Sequence, residues 1–160
     1  MKRIINITLF ALVLFVTSCS NKDIFFQYYS LPPEGWSKDS VLVFDVPISD
    51  TTANYNVYIY IRNGNNYPYQ NFWFFTTKTS PDELSESDTI ECYLADQQGK
   101  WLGSGAGAVF EMPVLFEKNI RFNKSGTYRY SITQGMREDV LVGIQDIGLR
   151  VEKTTNNGEK

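Results

Sequence analysis

Cys19 carries the most definite chemistry in this chain. It closes Val16-Thr17-Ser18-Cys19, an aliphatic residue, two small ones and a cysteine, after Lys2, Arg3 and an apolar run from Ile4 to Val16. That run is too short for a stable transmembrane helix, which takes about 20 apolar residues. A basic start, a short apolar core and small residues at the exit mark a secretory signal peptide, and the closing cysteine turns the stretch into a lipobox. The chemistry expected is acylation of Cys19 and cleavage before it. Residues 1–18 are then removed, residues 19–23 form a short lipid-anchored tether, and the membrane contact is made through the acyl chains.

Other chemistries are narrowed by what is missing. The sequence holds no histidine, which removes Ser-His-Asp and Cys-His nucleophilic schemes and the commonest zinc ligand sets. No catalytic residue, metal or cofactor is expected, and the protein reads as a non-enzyme. Asp88 and Glu91 could suggest a carboxylate pair, but three residues apart on a strand they point to opposite faces. Gly103-Ser104-Gly105-Ala106-Gly107-Ala108 resembles a phosphate-cradling loop in composition only. Such loops open a helix, whereas Val109-Phe110-Glu111-Met112-Pro113 runs into a proline, so a flexible turn is expected there. With Cys19 assigned to lipid, Cys92 has no partner, and its place beside Ile90 and Leu94 favours a small buried residue over a reactive thiol.

The elements that must position these groups read as strands. Without residues 1–18 the chain has 142 residues, enough for one ordinary domain. Thirteen basic side chains then stand against 18 acidic ones, a net charge of −5, which argues against nucleic acid as a partner. Aromatics make up 15% of residues, a composition suited to pleated sheets. Strands are expected over 40–46, 55–62, 69–77, 89–96, 113–122, 127–133 and 144–151, broken by turn signals such as Asn63-Gly64-Asn65-Asn66. The clearest alternation puts Tyr55, Val57, Ile59 and Ile61 on one face and Asn56, Tyr58, Tyr60 and Arg62 on the other. Residues 80–87 read as a polar loop, 134–142 as a short helical turn, and 154–160 as a disordered polar tail. Short strands at this spacing predict an all-β, single-domain antiparallel β-sandwich over 24–153, with a jelly-roll arrangement.

Several strings taken together carry a resemblance. They are Trp36-Ser37-Lys38-Asp39, the strand from Tyr55 to Asn63, Tyr67-Pro68-Tyr69-Gln70-Asn71-Phe72-Trp73, Asp88-Thr89-Ile90-Glu91, Gly99-Lys100-Trp101-Leu102-Gly103-Ser104-Gly105 and the stretch from Met136 to Arg150. In this order behind a lipobox, they resemble the gliding-motility lipoprotein GldH family of the Bacteroidetes. The resemblance implies a cell-envelope lipoprotein that supports gliding motility and an associated protein-secretion machinery as a structural or assembly subunit. It brings no site residue except Cys19. In such bacteria, surface display often follows an acidic run after the cysteine. Here Ser20-Asn21-Lys22-Asp23 has one acid, which favours the periplasmic side.

On this reading the working part is an exposed surface, because aromatics buried on docking are the usual anchors of interfaces. Tyr58, Tyr60 and Trp73 are the candidates for contact with other envelope, motility or secretion proteins. The alternative is a glycan-binding module for peptidoglycan or polysaccharide, built from Trp101 beside Gly103 and Gly105, or from Tyr67 and Tyr69 beside Asn65 and Asn66.

Overall fold

A computed structural model describes residues 22–154. The leader, Cys19 and residues 155–160 of the expected tail lie outside the described residues. Eleven strands follow in order. They are β1 (Asp23–Ser30), β2 (Trp36–Ser37), β3 (Leu42–Ile48), β4 (Tyr55–Gly64), β5 (Asn71–Thr79) and β6 (Ser85–Tyr93). The second half holds β7 (Ser104–Ala106), β8 (Val109–Ile120), β9 (Gly126–Gln134), β10 (Val140–Leu141) and β11 (Ile144–Lys153).

Two antiparallel sheets carry the fold, one in the order β1-β11-β4-β8-β7 and the other β3-β9-β5-β6, while β10 pairs with β2. Setting aside the short β2, β7 and β10 and counting the other eight in chain order, the sheets read 1-8-3-6 and 2-7-4-5. This is the jelly-roll order, in which first and last strands lie side by side. The expected all-β sandwich is what the chain forms.

The core lies between the two sheets. Tyr55, Val57, Ile59 and Ile61 of β4 are at most 1% exposed, as the alternation requires, and they meet Ile147, Leu149 and Val151 of β11 on the same inner face. The facing sheet supplies Phe44 and Val46, Phe72 and Phe74, and Tyr128, Tyr130 and Ile132. Pro47 is tolerated in β3 because that strand is an edge.

Several elements depart from the pattern. Residues 23–30 form β1, which no expected strand included; it pairs with β11 from Asp23 opposite Glu152 to Ser30 opposite Asp146. Asp23, placed in the tether by the sequence, is thus its first residue. The hairpin of β5 and β6 takes in the last part of the expected loop, residues 85–87, with Thr77–Ser87 and Thr79–Ser85 hydroxyl contacts of 2.9 Å each. Alternation could not reveal this polar extension, because neither side of it is apolar. The helical turn expected over 134–142 is absent. Leu141 is instead fully buried and pairs with Trp36.

A register shift in β8 sets Glu117 opposite Val57 and Leu115 opposite Tyr58, leaving Phe116 as the extra residue. Glu117 is thereby turned inward, where its two oxygens accept from Lys78 at 2.6 Å and from the Tyr130 hydroxyl at 2.7 Å. The contact ties one sheet to the other.

Candidate functional site

The outer face of the five-stranded sheet carries Tyr58 and Tyr60, side by side with ring centroids 6.4 Å apart. β1 adds Phe26 and Tyr28. Phe26 lies 5.1 Å from Tyr28 and 5.3 Å from Tyr60. A glycine makes room for this layer: a Cβ at Gly148 would stand 2.6 Å from the Tyr28 ring. The ring therefore rests directly on the backbone of β11.

Two arginines lock the rings. The Arg62 guanidinium sits 4.4 Å from the Tyr28 centroid and donates to Glu111 at 2.7 Å, while Glu111 also accepts from the Tyr28 hydroxyl at 2.8 Å. Burial and then the Glu111 carboxylate push the Tyr28 phenol well above its ordinary value. Arg150 lies about 6 Å from the Phe26 and Tyr58 rings. It donates to the Tyr60 hydroxyl at 3.1 Å and to Asp23 at 2.7 Å, and its remaining nitrogen is 2.9 Å from Glu152. Phe26, 49% exposed, is the open crest of the cluster. Sequence reasoning missed Phe26, Tyr28 and Arg150 because the strand bearing the first two was not recognised.

Trp73 is on the opposite side of the molecule, on the outer face of the four-stranded sheet, with Phe75 and Tyr93 exposed on that face. Trp101 is elsewhere again. Its indole donates to Asn65 at 3.1 Å, and its ring lies between Tyr67 at 6.4 Å and Phe110 at 5.9 Å. The structure therefore joins Tyr58 to Tyr60 and separates both from Trp73 and Trp101. The saccharide grouping expected at Tyr67 and Tyr69 is not assembled, since Tyr67 is buried in the core and the Tyr69 hydroxyl is engaged by Glu138.

The remaining candidates for chemistry are spoken for. Cys92 is 8% exposed, its thiol pushed up to about 12, by burial first and then by neighbouring Glu91. Asp88 stands opposite inward Thr76 and Glu91 opposite outward Trp73, so the two carboxylates face apart. Ser104–Ala106 pairs with Val109–Glu111 as a tight hairpin. Gly105 is required there, since a Cβ would meet the Val109 carbonyl oxygen at 2.1 Å. No helix follows, so no helix terminus cradles an anion. Among the described residues no group of three or more His, Cys, Asp or Glu is placed to hold a metal, and no helix is long and apolar enough to cross a membrane.

Comparison with known proteins adds the following. The family described as GldH lipoprotein matches residues 23–151. A "Gliding motility lipoprotein GldH homolog" of Christiangramia forsetii is 38% identical over 157 residues, covering 94% of this chain and 95% of the relative. "Gliding motility lipoprotein GldH" of Flavobacterium johnsoniae is 33% identical over 150 residues, covering 89% and 91%.

Proposed function

This chain belongs to the GldH lipoprotein family, a lipid-anchored gliding-motility protein of the cell envelope, and on that premise we propose that it works without catalysis, as a structural or assembly subunit of the envelope machinery for motility and its associated protein secretion. The observation that carries this reading is the Phe26, Tyr28, Tyr58 and Tyr60 layer. Arg62 and Arg150 hold these rings by hydrogen bonds and by stacking. Tyr and Arg are among the commonest anchors of protein interfaces, and side chains already fixed lose little conformational entropy on docking.

The anchor sets the height of this face above the membrane. The Lys153 amide donates to the Lys22 carbonyl at 2.8 Å, where the chain joins the sheet. Cys19 precedes Lys22 by three residues, a reach of about 10 Å. The domain stands close to its bilayer, and we assign it to the periplasmic side. Asp23, the one acid among the four residues after Cys19, supports that side because it is engaged by Arg150 rather than presented as part of an acidic export signal.

Complementation of a deletion strain tests the reading. A Phe26→Ala/Tyr60→Ala double variant should abolish surface spreading and secretion of a reporter cargo, and should lose envelope partners in pull-down from solubilised membranes. Trp73→Ala on the opposite face should keep those partners. Full spreading and unchanged partners in the double variant would overturn the assignment of this face.

A further inference from the structure

On the outer face of β5 and β6, cross-strand register sets Asn71 opposite Tyr93 and Trp73 opposite Glu91. The four side chains form a square with two rings on one diagonal and two polar groups on the other. The Asn71 amide donates to Glu91 at 2.7 Å along the polar diagonal, leaving the amide oxygen and the second carboxylate oxygen as acceptors. Trp73, Phe75 and Tyr93 are 38%, 48% and 59% exposed. Neighbouring outward positions of the two strands are Thr77, Thr79, Ser85, Ser87 and Thr89, all able to form hydrogen bonds.

The platform is rigid. Gly135 donates its amide to the Trp73 carbonyl at 2.8 Å, and the Trp73 amide donates to the Met136 sulfur at 3.3 Å. Gln134, 3% exposed, pins the loop beyond. Its side chain donates to the Glu138 carbonyl and accepts from the Met136 amide, both at 2.8 Å. Between this loop and Trp73 runs a groove of about 540 Å³ lined also by Tyr69, Asn71, Arg137 and Glu138, within the usual size range of ligand sites. Glu138 Oε2, in its wall, is enclosed without a hydrogen-bond partner.

We propose that this face is a saccharide subsite that takes the pyranose units of an extended glycan chain, with Trp73 and Tyr93 stacking on the C–H faces of the rings and Asn71, Glu91 and Arg137 bonding their hydroxyls. The acceptors left open beside the rings, the Asn71 amide oxygen, the second Glu91 oxygen and Glu138 Oε2, select this occupant. A sugar presents an apolar face and a hydroxyl edge at each unit, whereas a protein anchor is surrounded by contacts that exclude water. Position agrees. β4 begins beside Lys22, where the anchor enters, and its 10 residues span about 30 Å. β5 starts at the far end, so Trp73 lies away from the bilayer and out of reach of lipid headgroups.

The test titrates full-length protein in mild detergent with N-acetylglucosamine hexasaccharide and with cellohexaose, and co-sediments it with purified peptidoglycan sacculi. Binding should fall at least tenfold in Trp73→Ala and in Asn71→Ala, survive largely in Trp73→Phe, and be unchanged in Tyr60→Ala and Trp101→Ala. Binding to the oligosaccharides points to the bare glycan chain, and binding to sacculi alone narrows the ligand to peptidoglycan; either supports the proposal. No binding in any arm, a Trp73→Ala effect under twofold, or a folded Trp73→Ala variant that loses a protein partner instead would overturn it.

Discussion

Replacing Lys78 by Met asks how much the inward bulge of β8 depends on charge compensation. Lys78 and Glu117 are 19% and 15% exposed at their side chains, with 2.6 Å between nitrogen and oxygen. Burial works against the Lys78 charge, yet hydrogen bonds with Glu117 and Glu86 hold its pKa above the ordinary lysine value. Glu86, 78% exposed at 3.1 Å, adds little. Removing one partner of a buried pair costs about 3–5 kcal/mol. Residual solvent access and the Tyr130 hydroxyl still bonded to Glu117 reduce this to about 2–3 kcal/mol, in line with about 1.5–3 kcal/mol for a hydrogen bond to a charged group. A domain of this size should then melt about 6–10 °C lower. Lys78→Met/Glu117→Leu should recover part of the loss, and adding Tyr130→Phe, which removes a hydroxyl left without an acceptor, should return stability to within about 1 kcal/mol of the parent. Urea denaturation of the single, double and triple variants gives the coupling energy directly. Single variants within about 0.5 kcal/mol of the parent and additive in combination would refute the inter-sheet role given to this cluster.

Two further outcomes follow from local geometry. Gly148→Ala should displace the Tyr28 ring, 2.6 Å from the new Cβ, at a cost of about 1–3 kcal/mol by overpacking; in a Tyr28→Ala background the same change should cost clearly less, and equal thermal shifts in both would refute direct ring-on-backbone packing. Stability should be flat from about pH 5.5 to 8, because the chain has no histidine. Above about pH 8.5 it should fall, because the thiol ionises in the unfolded chain while burial holds the folded Cys92 protonated up to about 12. It should fall between about pH 4 and pH 2. Asp82 is lowered to about 2 by its hydrogen bonds with Lys124 and Ser80, and Asp45, Asp50 and Asp139 are lowered by Arg129, Lys153 and Lys38. These folded-state values lie below the unfolded ones, so the unfolded chain takes up protons first as pH falls and the stabilisation is lost on the acid side. A midpoint near pH 6.5 in melting temperature against pH would contradict this.

Much of the fold was legible in the residues alone wherever one face of a strand meets the core. Tyr55 to Ile61, Tyr128 to Ile132 and Ile147 to Val151 alternate because burial on one side imposes a period of two. Cys92 was legible for the same reason. Strands without that contrast were hidden: β1 is half-exposed along most of its length, and the β5–β6 hairpin tip carries hydroxyls on both strands. The stretch from Gln134 to Val142 has apolar residues at helical spacing, but Trp36 and the pairing with β2 claim Leu141 first.

Of the candidate surfaces, the sequence by itself determined which side chains leave the core: Tyr58, Tyr60 and Trp73 by alternation. The absence of histidine also settled which chemistries were closed. Tertiary structure alone decided which of these residues meet. Register with β11 brought Phe26 and Tyr28 to Tyr60, and register with β6 set Tyr93 and Glu91 around Trp73. The bulge in β8 turned Glu117 to the inside. Alternation is a local property of the backbone and can be read along a chain. Register is a choice among non-local pairings, made by the packing of the whole sandwich, and no short stretch contains it.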